Sequence, residues 1–116
     1  MKTILLVEDE HDLQRLAFII LKSAGYSVTI ASNGAEGIDA LRAAKPDLII
    51  SDVMMPVMDG IEMLRQVKRD DVWKGIPVIL ISAVRPENAI PVMWNCFLQK
   101  PVSITAIKDA VKTLID

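Results

Sequence analysis

Four short runs, each stopping at residues that can do chemistry, constrain this chain more than anything else in it. Ile4-Leu5-Leu6-Val7 runs into Glu8 and Asp9, Leu48-Ile49-Ile50-Ser51 into Asp52, Val78-Ile79-Leu80-Ile81 into Ser82, and Phe97-Leu98-Gln99 into Lys100. Runs this short and this apolar read as strands buried on both faces, as in a parallel sheet covered by helices. In open α/β sheets ligands bind outside the carboxyl ends of the strands. One sheet edge would therefore gather the carboxylates of Glu8, Asp9 and Asp52, the Ser82 hydroxyl and the Lys100 ammonium. Acids collected at one place repel one another and call for a cation. The edge reads as a site for a hard metal ion and a phosphoryl group.

The segments between the runs carry helical spacing and clear punctuation. Leu13, Leu16, Ala17, Ile20, Leu21 and Ala24 recur as one apolar stripe, and Gly25 stands where a helix C′ residue belongs. Tyr26 to Ala31 is rich in β-branched residues and reads as another strand. Asn33-Gly34 offers a cap for a helix bearing Ala35, Ile38 and Leu41 on one face, closed by Lys45-Pro46. Asp52 to Gly60 reads as a loop, followed by a weaker stripe of Ile61, Leu64, Val67 and Lys68. Pro77 is placed at a strand start, where proline is tolerated. Ser103 caps a last helix carrying Ile104, Ile107, Val111, Leu114 and Ile115. The alternation implies a parallel sheet with right-handed crossovers. Ala83 to Asn95 breaks it, because Pro86 and Pro91 leave room for a loop or one short turn beginning near Pro91.

At 116 residues the chain is expected to form a single domain over 1–116. Hydrophobic residues at 52% against 24% charged exclude a disordered chain. A net charge of −2 gives no basic footprint for nucleic acid. Cys96 stands alone, so no disulfide framework is expected within the chain. The apolar run after Met1-Lys2-Thr3 is shorter than a signal h-region, and Leu16 to Leu21 is too short to span a bilayer. A cytoplasmic location away from membranes is the expectation.

Each strand-end group has a definite chemical use. Magnesium takes oxygen ligands and keeps several waters, so Asp9 and Asp52 suit it, with Glu8 acting directly or through a water. A backbone carbonyl in the loop after Asp52 offers one more oxygen. Carboxylates form aspartyl-phosphate intermediates, which makes Asp52 a candidate nucleophile. Lys100 offers a point charge to a phosphate oxygen, and Ser82 a hydroxyl donor. His11, at the start of the first helix, reads as an exposed residue, and Cys96 as a small core residue. Trp94, in the anomalous segment, reads equally as a partner anchor and as packing over the core.

Taken together, Val7-Glu8-Asp9-Glu10, the run from Asp52 to Gly60 (DVMMPVMDG), Ser82-Ala83 and Lys100-Pro101 resemble the receiver domain of two-component response regulators, over nearly the whole chain. The resemblance implies a flavodoxin-like α/β fold: a five-stranded parallel sheet of order 2-1-3-4-5 with helices on both faces. It implies that Asp52 is the phosphoacceptor, taking its phosphoryl group from a phosphohistidine on a histidine kinase or phosphotransfer protein. Glu8, Asp9, Asp52 and the Met54 backbone carbonyl would hold magnesium, with manganese as a substitute. Ser82 matches the switch hydroxyl, Phe97 the aromatic switch position and Lys100 the family's lysine, whose bond to Pro101 is commonly cis. Such a domain is regulatory rather than a turnover enzyme, although it assists its own phosphorylation and dephosphorylation. Its partners are the kinase and either a separate output protein or an output domain.

The chain also departs from that pattern. Ser82 to Lys100 spans eighteen positions, a few fewer than usual, and the deficit falls on the fourth helix, which is expected to be lost or shortened. Asn95-Cys96 replaces the usual small pair before the last strand, and Val102 stands where an aromatic often follows Lys-Pro. Met54 and Val84 put apolar side chains where polar ones can orient a hydrolytic water in the family, which implies slow self-dephosphorylation. An alternative reading is a phosphorylation-independent interaction module with an altered output face. A small-molecule aspartyl-phosphate hydrolase would need a second Asp where Met54 stands.

Overall fold

The computed structural model describes residues 1–86 and 92–116. Its elements run β1 (Thr3–Val7), α1 (His11–Ser23), β2 (Ser27–Ala31), α2 (Gly34–Ala43), β3 (Leu48–Asp52), α3 (Gly60–Arg69), β4 (Val78–Ser82), β5 (Cys96–Gln99) and α4 (Ile104–Ile115). The five strands form one sheet of order β2-β1-β3-β4-β5, every pairing parallel. This is the flavodoxin-like order that the family resemblance implied.

Pleating explains the continuous apolar runs. Successive side chains leave a strand on opposite faces, so each run feeds two cores. Leu5, Val7, Ile49, Val78 and Leu80 pack with Ile38 and Leu41 of α2 and with Met63, Leu64 and Val67 of α3. Ile4, Leu6, Leu48, Ile50, Ile79 and Ile81 pack with Ala17 and Leu21 of α1 and with Ile107 and Val111 of α4. Each of the fully buried aliphatic side chains contributes roughly 1.5–3 kcal/mol of transfer free energy. No helix in the described residues is long and apolar enough to cross a membrane.

The predicted stripes need two corrections. Leu16 is 47% exposed, because it lies about 100° round the helix from Ala17, at the rim of the face that meets the sheet. Met63, outside the predicted stripe of α3, is fully buried, while Lys68 is only half-buried. Between β4 and β5, residues 83–86 and 92–95 contain no helix, as the shortened spacing predicted. The single turn predicted near Pro91 falls on 87–91, outside the described residues. Trp94 lies tilted against Phe97, ring centroids 6.4 Å apart, and both rest on the core over α3, as does Trp73. Packing over the core is therefore what Trp94 does in this fold.

Candidate functional site

The carboxyl edge of the sheet is built by three short devices. Gln14, on α1, donates from Nε2 to the Glu8 carbonyl at 2.7 Å and ties the helix to the end of β1. The Glu10 N–H donates to Glu8 Oε2 at 3.1 Å, so the chain turns with the Glu8 side chain held inward. After β3 the loop returns until the Gly60 N–H donates to the Val53 carbonyl at 2.8 Å, and Asp59 caps α3 by accepting from the Glu62 N–H. A Cβ on Gly60 would collide with the Asp52 carbonyl oxygen, so only glycine lets α3 start this close to the strand end. Within the same loop Val57 takes a left-handed φ of 68°, uncommon for a β-branched residue. The Lys100–Pro101 peptide is cis, as the resemblance implied.

These devices bring five of the sequence-predicted residues together. Glu8, Asp9 and Asp52 each present a carboxylate oxygen, all within 4.8 Å of one another. Lys100 Nζ lies 2.9 Å from Asp52 Oδ2 and 3.3 Å from Glu8 Oε1. The Lys100 N–H donates to the Ser82 carbonyl at 2.8 Å, so the hydroxyl and the ammonium are held at adjacent strand ends. Ser82 is buried, and its Oγ accepts from the Val84 N–H at 3.3 Å. Asp52 Oδ1 accepts from the Val53 N–H at 2.7 Å.

Met54 sits in the loop after β3 with its side chain 75% exposed, and no backbone N–H among the described residues donates to its carbonyl. Phe97 pairs in register with Leu80, two residues back from the strand end, with the Arg85 guanidinium 5.0 Å from its ring centroid. Sequence reasoning gave Glu10 no role. Its carboxylate Oε2 stands 3.5 Å from Lys100 Nζ. The available signal was a glutamate at a helix N-cap, a position that favours shorter polar side chains; Glu10 makes no side-chain cap bond.

Electrostatically the edge holds more negative than positive charge. Glu8 is only 2% exposed. Burial pushes its pKa up to about 7; the Glu10 N–H opposes that, and the Asp52 charge reinforces it. Burial also pulls Lys100 down, but its bond to Asp52 and the charges of Glu8 and Asp52 outweigh that, and its pKa rises. Three carboxylates against one ammonium leave an excess that a divalent cation would neutralise, and their oxygens are the ligands such an ion prefers. The residues therefore fit a hard metal ion.

The response regulator receiver domain model matches residues 4–112. The uncharacterized transcriptional regulatory protein YkoG of Bacillus subtilis is 44% identical over 119 residues, a match covering 97% of this chain and 50% of that protein. Hybrid signal transduction histidine kinase D of Dictyostelium discoideum is 42% identical over 85 residues, covering 73% of this chain and 5% of that protein. The chain thus spans half the length of one relative and a small fraction of the other. Among solved structures, the signal receiver domain of a histidine kinase from Syntrophus aciditrophicus superposes with a TM-score of 0.91 at 33% identity, covering 99% of this chain and 90% of that one. The sheet order, the strand-end cluster and these matches lead to one conclusion: the chain belongs to the response regulator receiver domain family.

Proposed function

We propose that residues 1–116 form a single receiver switch that accepts a phosphoryl group on Asp52 from a phosphohistidine of a histidine kinase or phosphotransfer protein. The observation that carries this reading is the Asp52 carboxylate, buried at a strand end, 2.9 Å from Lys100 Nζ and within 4.8 Å of the Glu8 and Asp9 carboxylates. An Asp52 oxygen attacks phosphorus while the P–N bond breaks, and the electron pair leaves with the imidazole nitrogen. Lys100 moves its contact from the carboxylate to a phosphoryl oxygen, and Ser82 donates its hydroxyl to another. Glu8, Asp9, Asp52 and the Met54 carbonyl would hold magnesium, or manganese, which when bound supplies the positive charge that offsets the crowded oxygens.

Phosphorylation adds about −1.5 to −2 charge and three acceptor oxygens. Ser82 and Lys100 gain those partners only in the phosphorylated state, so their two adjacent strand ends have two arrangements to choose between. Phe97, on the strand leading to Lys100, is the packed ring that registers the choice. The domain is regulatory, assisting its own phosphorylation and dephosphorylation, and works in the cytoplasm through docking. It binds no nucleic acid itself, and its output is a separate protein or an output domain. The test is intact mass after incubation with acetyl phosphate or phosphoramidate. A gain of one phosphoryl group that needs magnesium and is lost in Asp52→Ala is expected. No adduct would overturn the reading in favour of a phosphorylation-independent interaction module.

A further inference from the structure

Glu10 belongs to neither the metal cluster nor the helix cap. It occupies the N-cap of α1 without capping it, is 61% exposed on its side chain, and holds its Oε2 3.5 Å from Lys100 Nζ. Of the three carboxylates touching Lys100, those of Glu8 and Asp52 also belong to the metal cluster, whereas that of Glu10 does not. An open cleft beside the site is lined by Glu10, Leu13, Ala83, Lys100, Pro101 and Val102. Glu10 and Lys100 are the two charged residues of that lining, set in apolar walls. Low-dielectric walls focus the field of the charges they enclose.

We propose that Glu10 is a specificity-determining residue that filters phosphoryl donors by charge at the mouth of the site. It favours N-linked donors over anionic acyl phosphates. The proposal rests on Asp52 being the phosphoacceptor. Acetyl phosphate arrives as a dianion: Asp52 attacks phosphorus, the P–O bond breaks, and acetate leaves with the electron pair. Phosphoramidate arrives with its nitrogen protonated and one net negative charge: the P–N bond breaks and neutral ammonia leaves. Both transfers balance in atoms and charge, and both form the same aspartyl phosphate. They differ in the charge that must pass Glu10. A histidine-linked phosphoryl group is of the second kind, so the filter insulates the switch from small acyl phosphates while admitting a protein donor.

The experiment measures the phosphorylation rate constants of the full chain with each donor by intact mass, in magnesium, for wild type, Glu10→Gln and Glu10→Asp. Both donors meet the same loaded site, so the ratio of their rate constants cancels any change in magnesium affinity. In Glu10→Gln the acetyl phosphate to phosphoramidate ratio is expected to rise roughly three- to tenfold at low salt, the size of one charge acting over several ångströms near a protein surface. The increase should shrink toward nothing in about 1 M salt, where screening reaches only about 3 Å. Glu10→Asp, which keeps the charge, should retain most of the wild-type ratio. A ratio unchanged in Glu10→Gln, or changed equally at low and high salt, would overturn the proposal while leaving Asp52 phosphorylation standing. Silence of both donors on the wild-type protein would instead remove the phosphoacceptor reading, and this inference with it.

Discussion

Two exposed apolar side chains flank Asp52 and Ser82, and on the proposed function they bear on how long a phosphoryl group on Asp52 would last. Met54 follows Asp52 by two residues and is 75% exposed; Val84 follows Ser82 by two and is 73% exposed. Hydrolysis of an aspartyl phosphate needs a water held in line with phosphorus, and neither thioether nor isopropyl can hold one by a strong hydrogen bond. Met54→Asn combined with Val84→Glu should shorten the phosphorylated lifetime by about tenfold or more, followed as loss of the adduct mass after the donor is removed. Both sites are open to solvent, so stability should change by less than about 0.5 kcal/mol each. An unaltered lifetime would show that water reaches phosphorus without their help. The identities of Glu8, Asp9, Asp52, Ser82 and Lys100 were legible as single residues, because each follows a short run read as a strand and so falls at the carboxyl edge of the sheet. The Glu10–Lys100 contact was not, since it depends on how far β1 and β5 lie apart across the intervening β3 and β4.

At the scale of elements, the start of α3 against the end of β3 is the most demanding join. A methyl at Gly60 would meet the backbone of Asp52, which has no rotamer by which to yield. Gly60→Ala should therefore push α3 off the strand end at a cost of about 2 kcal/mol or more, lowering the melting temperature on the order of 10 °C. It should also slow Asp52 phosphorylation. Gly75→Ala, with nothing within 4 Å of the added methyl, is the control that should melt near wild type. Element ends were well marked in the sequence because their signals are local. Asn33 and Ser103 accept from Glu36 N and Ala106 N as capping residues should, and Gly25 takes the positive φ of 100° expected past a helix end. Leu16 and Met63 were misjudged because periodicity gives the direction of a face but not the width of the surface it lands on. The short passage between β4 and β5 was legible from spacing and proline alone, whereas the seating of Trp73, Trp94 and Phe97 over the core belongs to tertiary packing.

For the molecule as a whole, the crowded carboxylates are a source of instability that a bound cation would offset. Glu8, with its pKa raised from 4.5 to about 7 by burial, keeps a proton in the folded chain that the unfolded chain has already lost between those values. At this group the unfolded state then binds fewer protons than the folded one, so the contribution of Glu8 to the stability of the metal-free protein falls as pH rises through that window. The loss is on the order of 3 kcal/mol, set against a total stability for a domain this size of only about 5–15 kcal/mol. Above pH 7 the buried carboxylate is charged beside Asp52, and a divalent cation that binds only the folded state stabilises it by mass action. Magnesium should consequently raise the melting temperature more at pH 8 than at pH 5.5. Glu8→Gln carries the same shape without the charge. In chelator it should melt above wild type at pH 8, match it more closely at pH 5.5, and respond less to magnesium. Comparing the two proteins in identical buffers cancels the titrating groups that do not touch Glu8. Equal melting of wild type and Glu8→Gln at pH 8 without metal would mean that Lys100, 3.3 Å from Glu8, already neutralises the buried charge in full.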